Sequence, residues 1–389
     1  MNYWLILFVI DILCFVPVFA TVAYLTIFAF LALFEARHNV PTARKMNRFI
    51  ILIPAYKEDK NIEQTVKAIL GQSYPQRLFD VTVISDHQSE ITNMKLAQYP
   101  ITLLTPDFEE STKAKSLQYA ILNLPEFKIY DIVLLLDADN IVEPEFLTQM
   151  NNAYETAGTK AIQAHRVSRN RDTAMARLDA IFEEINNSIF RRGHIAVGLP
   201  AATMGSGIAY DFVWFKENIM KVKTAGEDKE LEALLMRQHI YVDYFEDIYV
   251  YDEKKRRSED FNQQHKRWTR NQFHSLLSNI KYLPWAILNR QYPFINKLIQ
   301  WMLIPRMALM AIIMIMSLVL PFIYFTLAIK WWIAMAVVVF AYALATPDYL
   351  VDETWDKTFL RSPLVSLWGF LHMWTVGKSN KVTYHNTKA

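Results

Sequence analysis

The chain has 389 residues, 52% of them hydrophobic and 14% aromatic, with a formal net charge of +2. This near-neutral balance argues against nucleic acid as a partner, because phosphate binding shows as a strong basic excess. The length allows one large domain or two modest ones, and a mean hydropathy of +0.08 fits a soluble domain with apolar ends.

Residues 3 to 34 run apolar with only Asp11 charged. A spanning helix needs about 20 apolar residues, and no turn breaks the run into two, so a single transmembrane helix is expected within 1–36. No basic stretch precedes it and it is too long for a signal-peptide core, which predicts a retained helix. The only cysteine, Cys14, lies in this run, so no internal disulfide is available. Arg37, His38, Arg44, Lys45 and Arg48 follow, which places residue 40 onward in the cytosol.

The middle of the chain alternates. Short β-rich runs, "FIILI" (49–53), "DVTVI" (80–84), "DIVLLL" (131–136) and "IYVYD" (248–252), are separated by helical stretches such as "NIEQTVKAILGQ". Alternation of this kind predicts an α/β domain over 45–280 with a mostly parallel sheet covered on both faces. Ligands bind beyond the carboxyl ends of such strands. Polar clusters fall there: "PAYKED", "SDHQS" and "DADN". Asp137 and Asp139 are two apart, so both can face one cation, and their hard oxygens suit Mg²⁺ or Mn²⁺. Taken alone, such a pair reads more simply as an ordinary strand-end turn.

Residues 281–302 read as an interfacial helical region, and 303–347 as two membrane helices, roughly 303–327 and 331–347, on either side of Lys330. The methionine-rich "MLIPRMALMAIIMIMS" is lipid-facing core. The last part, 348–389, is expected to hold an in-plane interfacial helix at 362–376 and a basic tail. A crossing there would put Lys378, Lys381 and Lys388 outside, against the charge rule.

The polar clusters, in this order, resemble those of the membrane-embedded family 2 glycosyltransferases of GT-A fold, such as cellulose, hyaluronan, chitin and poly-N-acetylglucosamine synthases. "ILIPAYKEDKNIEQTVKAILGQSYP" resembles the opening strand, P-x-Y-N-E turn and first helix. "VISDHQS" resembles the second strand and its aspartate, and "TKAKSLQYAI" the lysine-bearing helix. "LLLDADNIVEPEFL" resembles the D-x-D strand, "MGSGIAY" the acceptor-side glycine turn, "GEDKELEALLMRQH" the T-E-D helix and "QQHKRW" the Q-x-x-R-W motif. The likeness covers about residues 48–275.

The resemblance implies an inverting transfer of a sugar from a nucleotide sugar, with a UDP-sugar the expected donor. Tyr56 and Glu58 would line the base pocket, Asp86 and Asp137 would hold the nucleoside, and Lys113 would lie on the phosphate side. Asp139, with Asp137, would carry Mg²⁺ or Mn²⁺ on the diphosphate. Asp228 would be the general base with Glu227 in support, and Arg267 would neutralise the leaving diphosphate. Gln264, Trp268, Gly205 and Ser206 would serve the acceptor. Lys115 is a less close match than Lys113, and His165 and His194 read as packed residues, since no metal spacing includes them. Without its neighbours, "QQHKRW" would read as a helix skimming the membrane.

Three departures stand out: Lys57 for the usual Asn, Gly226 for the usual Thr, and "SDHQS" for D-D-G-S. Two acceptors fit the pattern. One is a growing polysaccharide at the inner membrane, with the complete G-E-D and Q-x-x-R-W in its favour. The other is a lipid such as ceramide, diacylglycerol or a polyprenyl phosphate. Three spans are few for a polymer channel, so processive synthesis would call on a homo-oligomer or an export partner.

Overall fold

The computed structural model describes residues 3–34, 39–254, 256 and 258–351. They divide into two compact units. A sheet unit is built from the described residues of 36–170 and 199–254, and a helical unit from those of 1–35, 171–198 and 255–379. Residues 171–198 and the described residues of 255–280 group with the helical unit.

The sheet unit contains β1 (Phe49–Tyr56), β2 (Phe79–Asp86), β3 (Thr102–Leu104), β4 (Ile132–Leu135), β5 (Ile141–Val142), β6 (Ala161–Ser168), β7 (Ile208–Asp211) and β8 (Val242–Asp252). They form one sheet in the order β3-β2-β1-β4-β7-β6-β8-β5. Pairs β1–β2, β1–β4, β2–β3 and β6–β8 are parallel. The pairs made by β7 and β5 are antiparallel. The sheet is thus mostly parallel, as the alternation predicts.

All eight residues of β1 are buried, which is why the segment reads as an unbroken apolar run. Ile51, Ile53, Val81, Val83 and Leu134 pack with Phe146 and Met150 of the helix Phe146–Ala157 in one core. The helices Glu90–Leu96 and Lys113–Leu122 are started by side-chain caps from Ser89 and Thr112. The chain moves outward through β1, β2 and β3, then returns to the other side of β1 as β4. Open sheets of this kind take ligands at such a reversal, here beyond the carboxyl ends of β1 and β4.

The helical unit comprises Tyr3–Leu31, Ala174–Asn187, Ser258–Asn279, Leu283–Leu288, Tyr292–Met302, Arg306–Ile323 and Phe325–Ala345, with short turns between. Among the described residues three helical segments are long and apolar enough to cross a membrane: Leu5–Phe34, Arg306–Ile323 and Phe325–Ala345. Lys330 does not separate the last two, contrary to the sequence expectation; it lies inside Phe325–Ala345. Asp11, on the first helix, pairs with the Lys330 ammonium and accepts a 2.8 Å bond from Trp331 Nε1. A neutralised cation is tolerated within an apolar segment, so its charge marks no loop. The helix expected at 362–376 and the basic tail lie outside the described residues.

Candidate active site

Side chains from several strand ends and from the helices Lys113–Leu122 and Glu227–Arg237 come together near the reversal point. Asp137 leaves β4 and its N–H donates to Asn140 Oδ1 (3.0 Å) and Ser206 Oγ (3.1 Å), which fixes the turn. Lys113 opens its helix and sends its ammonium to Asp137 Oδ1 at 2.5 Å and to the Gly205 carbonyl at 2.8 Å. Glu227 Oε1 lies 3.7 Å from the same nitrogen. Gly205 is glycine for a spatial reason: a Cβ there would stand 3.0 Å from Lys113 Nζ and 3.3 Å from Glu227 Oε1. Gly207, two residues on, turns the chain into β7 with φ +65°, where a side chain would be strained and would meet Val250 at 3.0 Å.

Opposite charges set the protonation states. Burial alone would push the Asp137 carboxyl up, but the charge and hydrogen bond of Lys113, helped by Arg166, hold it below the ordinary range. Burial alone would pull the Lys113 ammonium down, but Asp137 and Glu227 hold it up. Glu227 behaves differently. Burial, reinforced by the neighbouring Asp228 charge, outweighs Lys113 and pushes it up to about 7.

Two carboxylates thus sit side by side in contrasting settings. The Glu227 side chain is 8% exposed and faces Lys113, whereas that of Asp228 is 27% exposed, with Lys229 Nζ 3.9 Å away. Asp228 is the more exposed of the two.

Of the nucleoside-side residues expected from sequence, Tyr56 and Asp86 end β1 and β2, Glu58 follows β1, and Asp137 follows β4. The register pairs Tyr56 with Asp86. Each strand then breaks at a residue in the left-handed region, Lys57 at φ 52° and His87 at φ 56°. Asn tolerates that conformation better than Lys, which explains why the resembling turns use it. The Lys57 N–H donates to the Asp86 carbonyl at 3.2 Å, and Asp86 Oδ1 lies 2.5 Å from His87 Nδ1. The Tyr56 and His87 rings are 5.6 Å apart. Glu58 is buried, and its carbonyl accepts from the N–H groups of Asn61 and Ile62, starting the next helix.

Asp139 is placed one residue from Asn140, whose Nδ2 reaches Asp139 Oδ1 at 3.4 Å and Asp252 Oδ1 at 3.5 Å. Sequence reasoning missed this outer layer. Arg166 of β6 lies 3.9 Å from Asp137 Oδ2 and 3.8 Å from Asp252 Oδ2, and Lys254 Nζ is 3.0 Å from Asp252. None of these residues belongs to a short motif; only the strand-end position of Asp252 signals it. Lys115 stays out of the cluster and bonds the Glu110 carbonyl at 2.8 Å.

Gln264, Arg267 and Trp268 lie on Ser258–Asn279 in the helical unit. There His265 packs between Phe261 (ring centroids 4.1 Å apart) and the edge of Trp268 (5.0 Å), with Asp179 Oδ1 4.0 Å from its Nε2. Gln264 Oε1 is sequestered without a hydrogen-bond partner. His165 and His194 are packed residues: their Nδ1 atoms lie 2.9 and 2.7 Å from backbone carbonyls, the Tyr249 ring tilts against His165, and Phe28 stacks on His194.

Residues 47–271 match the model of the family described as "Glycosyltransferase like family 2". No curated protein sequence matches the chain. Among solved structures, the mannosyltransferase PcManGT from Pyrobaculum calidifontis, in complex with GDP-Man and Mn²⁺, is similar with a TM-score of 0.56. It is 14% identical, over 93% of this chain and 98% of that one, and shares the fold. S. aureus TarS 1-349 gives a TM-score of 0.41 at 13% identity, over 84% of this chain and 90% of that one. Its complex with UDP-GlcNAc gives 0.41 at 16%, over 78% and 91%. The sheet unit is accordingly of GT-A type.

Proposed function

The chain belongs to glycosyltransferase-like family 2, and from that membership we propose that it transfers a sugar, with inversion, from a nucleoside-diphosphate sugar to an acceptor held at a membrane. The observation that carries this reading is the Lys113–Asp137–Glu227–Asp228 cluster at the β1/β4 reversal. Such a reaction needs positive charge where the diphosphate leaves and one base across the sugar.

In this reading Asp228 takes the proton of the acceptor hydroxyl as its oxygen attacks the anomeric carbon. Its greater exposure supports it over Glu227, which holds Lys113 in place from behind. The bond from that carbon to the diphosphate breaks on the opposite side. Lys113, fixed by Asp137 and the Gly205 carbonyl, supplies charge on the phosphate side, and Tyr56, Glu58 and Asp86 receive the nucleoside. Gly205 and Ser206 form the acceptor-side turn.

A divalent cation fits the donor set. Asp139 and Asp137 offer hard carboxylate oxygens two residues apart, and no cluster of three His, Cys, Asp or Glu is available among the described residues. The remaining positions would fall to water and substrate phosphates, as Mg²⁺ commonly requires. Bound there, Mg²⁺ or Mn²⁺ would neutralise charge on the departing diphosphate. The roles proposed for Gln264 and Trp268 at the acceptor, and for Arg267 on the diphosphate, rest on the sequence resemblance.

For the acceptor, the complete G-E-D and Q-x-x-R-W favour a growing β-linked polysaccharide at the inner membrane. A second reading, a single addition to a membrane lipid, is favoured by the three candidate spans among the described residues, few for a polymer channel. Incubating the purified protein with a panel of nucleotide sugars and sizing the products tests both. A ladder of oligosaccharides supports processive synthesis, and a single glycolipid supports the second reading. No transfer from any donor in the presence of membrane lipids and Mn²⁺ overturns the function.

A further inference from the structure

Both carboxylates at the start of the helix Glu227–Arg237 face a cation of their own. Lys113 Nζ lies 3.7 Å from Glu227 Oε1, and Lys229 Nζ lies 3.9 Å from Asp228 Oδ2. Each cation is also held from elsewhere. Asp137 and the Gly205 carbonyl fix Lys113. Lys229 reaches Glu232 Oε2 at 3.4 Å, three residues along the helix and so on a neighbouring part of its surface.

Glu232 is a costly anchor. It is fully buried, and an enclosed charge is unfavourable unless it is compensated. Its Oε1 accepts from the Thr203 N–H at 2.8 Å. A glutamine could accept that bond too, so the bond alone does not call for a charge, whereas the Lys229 ammonium does. The turn that begins at Thr203 lies beside Asp228. Thr203 Oγ1 donates to the Asp228 carbonyl at 3.4 Å, and a Cβ on Gly205 would stand 3.9 Å from Asp228 Cβ. Glu232 therefore ties together that turn and the ammonium facing the Asp228 carboxylate. A lysine loose in solvent spreads over many rotamers, but one anchored on a buried carboxylate presents its charge in a fixed place.

We propose that Lys229, anchored on Glu232, is a positioning residue for the base: its ammonium holds the Asp228 carboxylate in the orientation that meets the acceptor hydroxyl. The proposal rests on the reading that Asp228 is that base. Without the nearby charge the Asp228 side chain, 27% exposed, is free to turn into solvent. A pair that served folding alone would leave the chemistry untouched once the fold was restored.

That difference gives the test. Lys229→Met leaves Glu232 charged and enclosed, so it should melt below the wild type. Combining Lys229→Met with Glu232→Gln removes both charges and keeps an acceptor for Thr203, so the melting temperature should recover. Donor affinity, acceptor KM and kcat are then measured on the full detergent-purified chain, with the donor and acceptor that give product in the nucleotide-sugar panel. The neutral pair should keep wild-type donor affinity and acceptor KM while kcat falls about tenfold or more, the scale of a small misplacement of a reacting group. Lys229→Arg keeps the charge and should retain most of kcat. In an Asp228→Asn background the neutral pair should cost almost nothing further, since no carboxylate is left to hold. Wild-type kcat in the neutral pair, or an equal loss with and without Asp228, overturns the positioning role. If the neutral pair misfolds, Lys229→Gln gives the same comparison at a side chain that is 25% exposed. Normal transfer by Asp228→Asn alone overturns the base reading and this inference with it.

Discussion

Glu227 Oε1 faces the Lys113 ammonium across 3.7 Å, yet its carboxyl is pushed up to about 7. Burial outranks the attraction, and the Asp228 charge adds to it. Its folded value exceeds the ordinary 4.5, so its contribution to stability is full below that value. It is lost as the pH rises through about 7. Glu227→Gln is neutral throughout. Its melting temperature relative to wild type should therefore be more favourable at about pH 8.5 than at about pH 5. A difference that does not change with pH, measured in the same detergent, contradicts the burial argument.

Lys113→Met should remove the 2.5 Å partner of Asp137 and leave only Arg166, 3.9 Å away. An exposed carboxylate would be indifferent, but this one is partly enclosed, so a loss of about 1–3 kcal/mol is expected. Adding Asp137→Asn should recover much of it, because the stranded charge is gone. Denaturant titration of the two variants checks this; equal instability of single and double variants contradicts the coupling.

Much of this arrangement is legible in the sequence, for a physical reason. Where an apolar strand ends and polar residues begin, the chain must leave the sheet, and "PAYKED", "SDHQS" and "DADN" all mark such exits. β6 escaped notice because His165 and Arg166 interrupt its apolar run, although both are buried in the folded unit. With β6 went Arg166, and with the end of β8 went Asp252 and Lys254, whose importance comes from pairings across the sheet that no local pattern encodes. The place of Lys330 inside a helix is illegible for the same reason: its partner, Asp11, lies far away in the chain.

Asp139→Ala should weaken the dependence of nucleotide binding on Mg²⁺ or Mn²⁺ and lower turnover, because a hard oxygen donor is lost. Titrating the donor with and without chelator reads it directly. A variant with wild-type metal dependence moves the cation elsewhere.

Arg267 and Trp268 are adjacent but should affect different steps. Arg267→Ala should depress both transfer and slow donor hydrolysis, since both expel the same diphosphate and a planar guanidinium suits that charge. Trp268→Ala should impair acceptor use while sparing much of donor hydrolysis, since an uncharged ring can act only by stacking. If the segment is no more than a membrane anchor, both variants lose membrane association or folding alike, and hydrolysis and transfer fall together.

The central claim is that Asp228 deprotonates the acceptor in a transfer from a nucleotide sugar. It is tested most directly by measuring donor binding and sugar transfer side by side for the wild type and Asp228→Asn. The account predicts unchanged donor affinity with transfer lowered by about 10²- to 10⁴-fold, the usual worth of a general base. Near-normal transfer by a folded Asp228→Asn protein would contradict it, and Glu227 would then be the first alternative to examine.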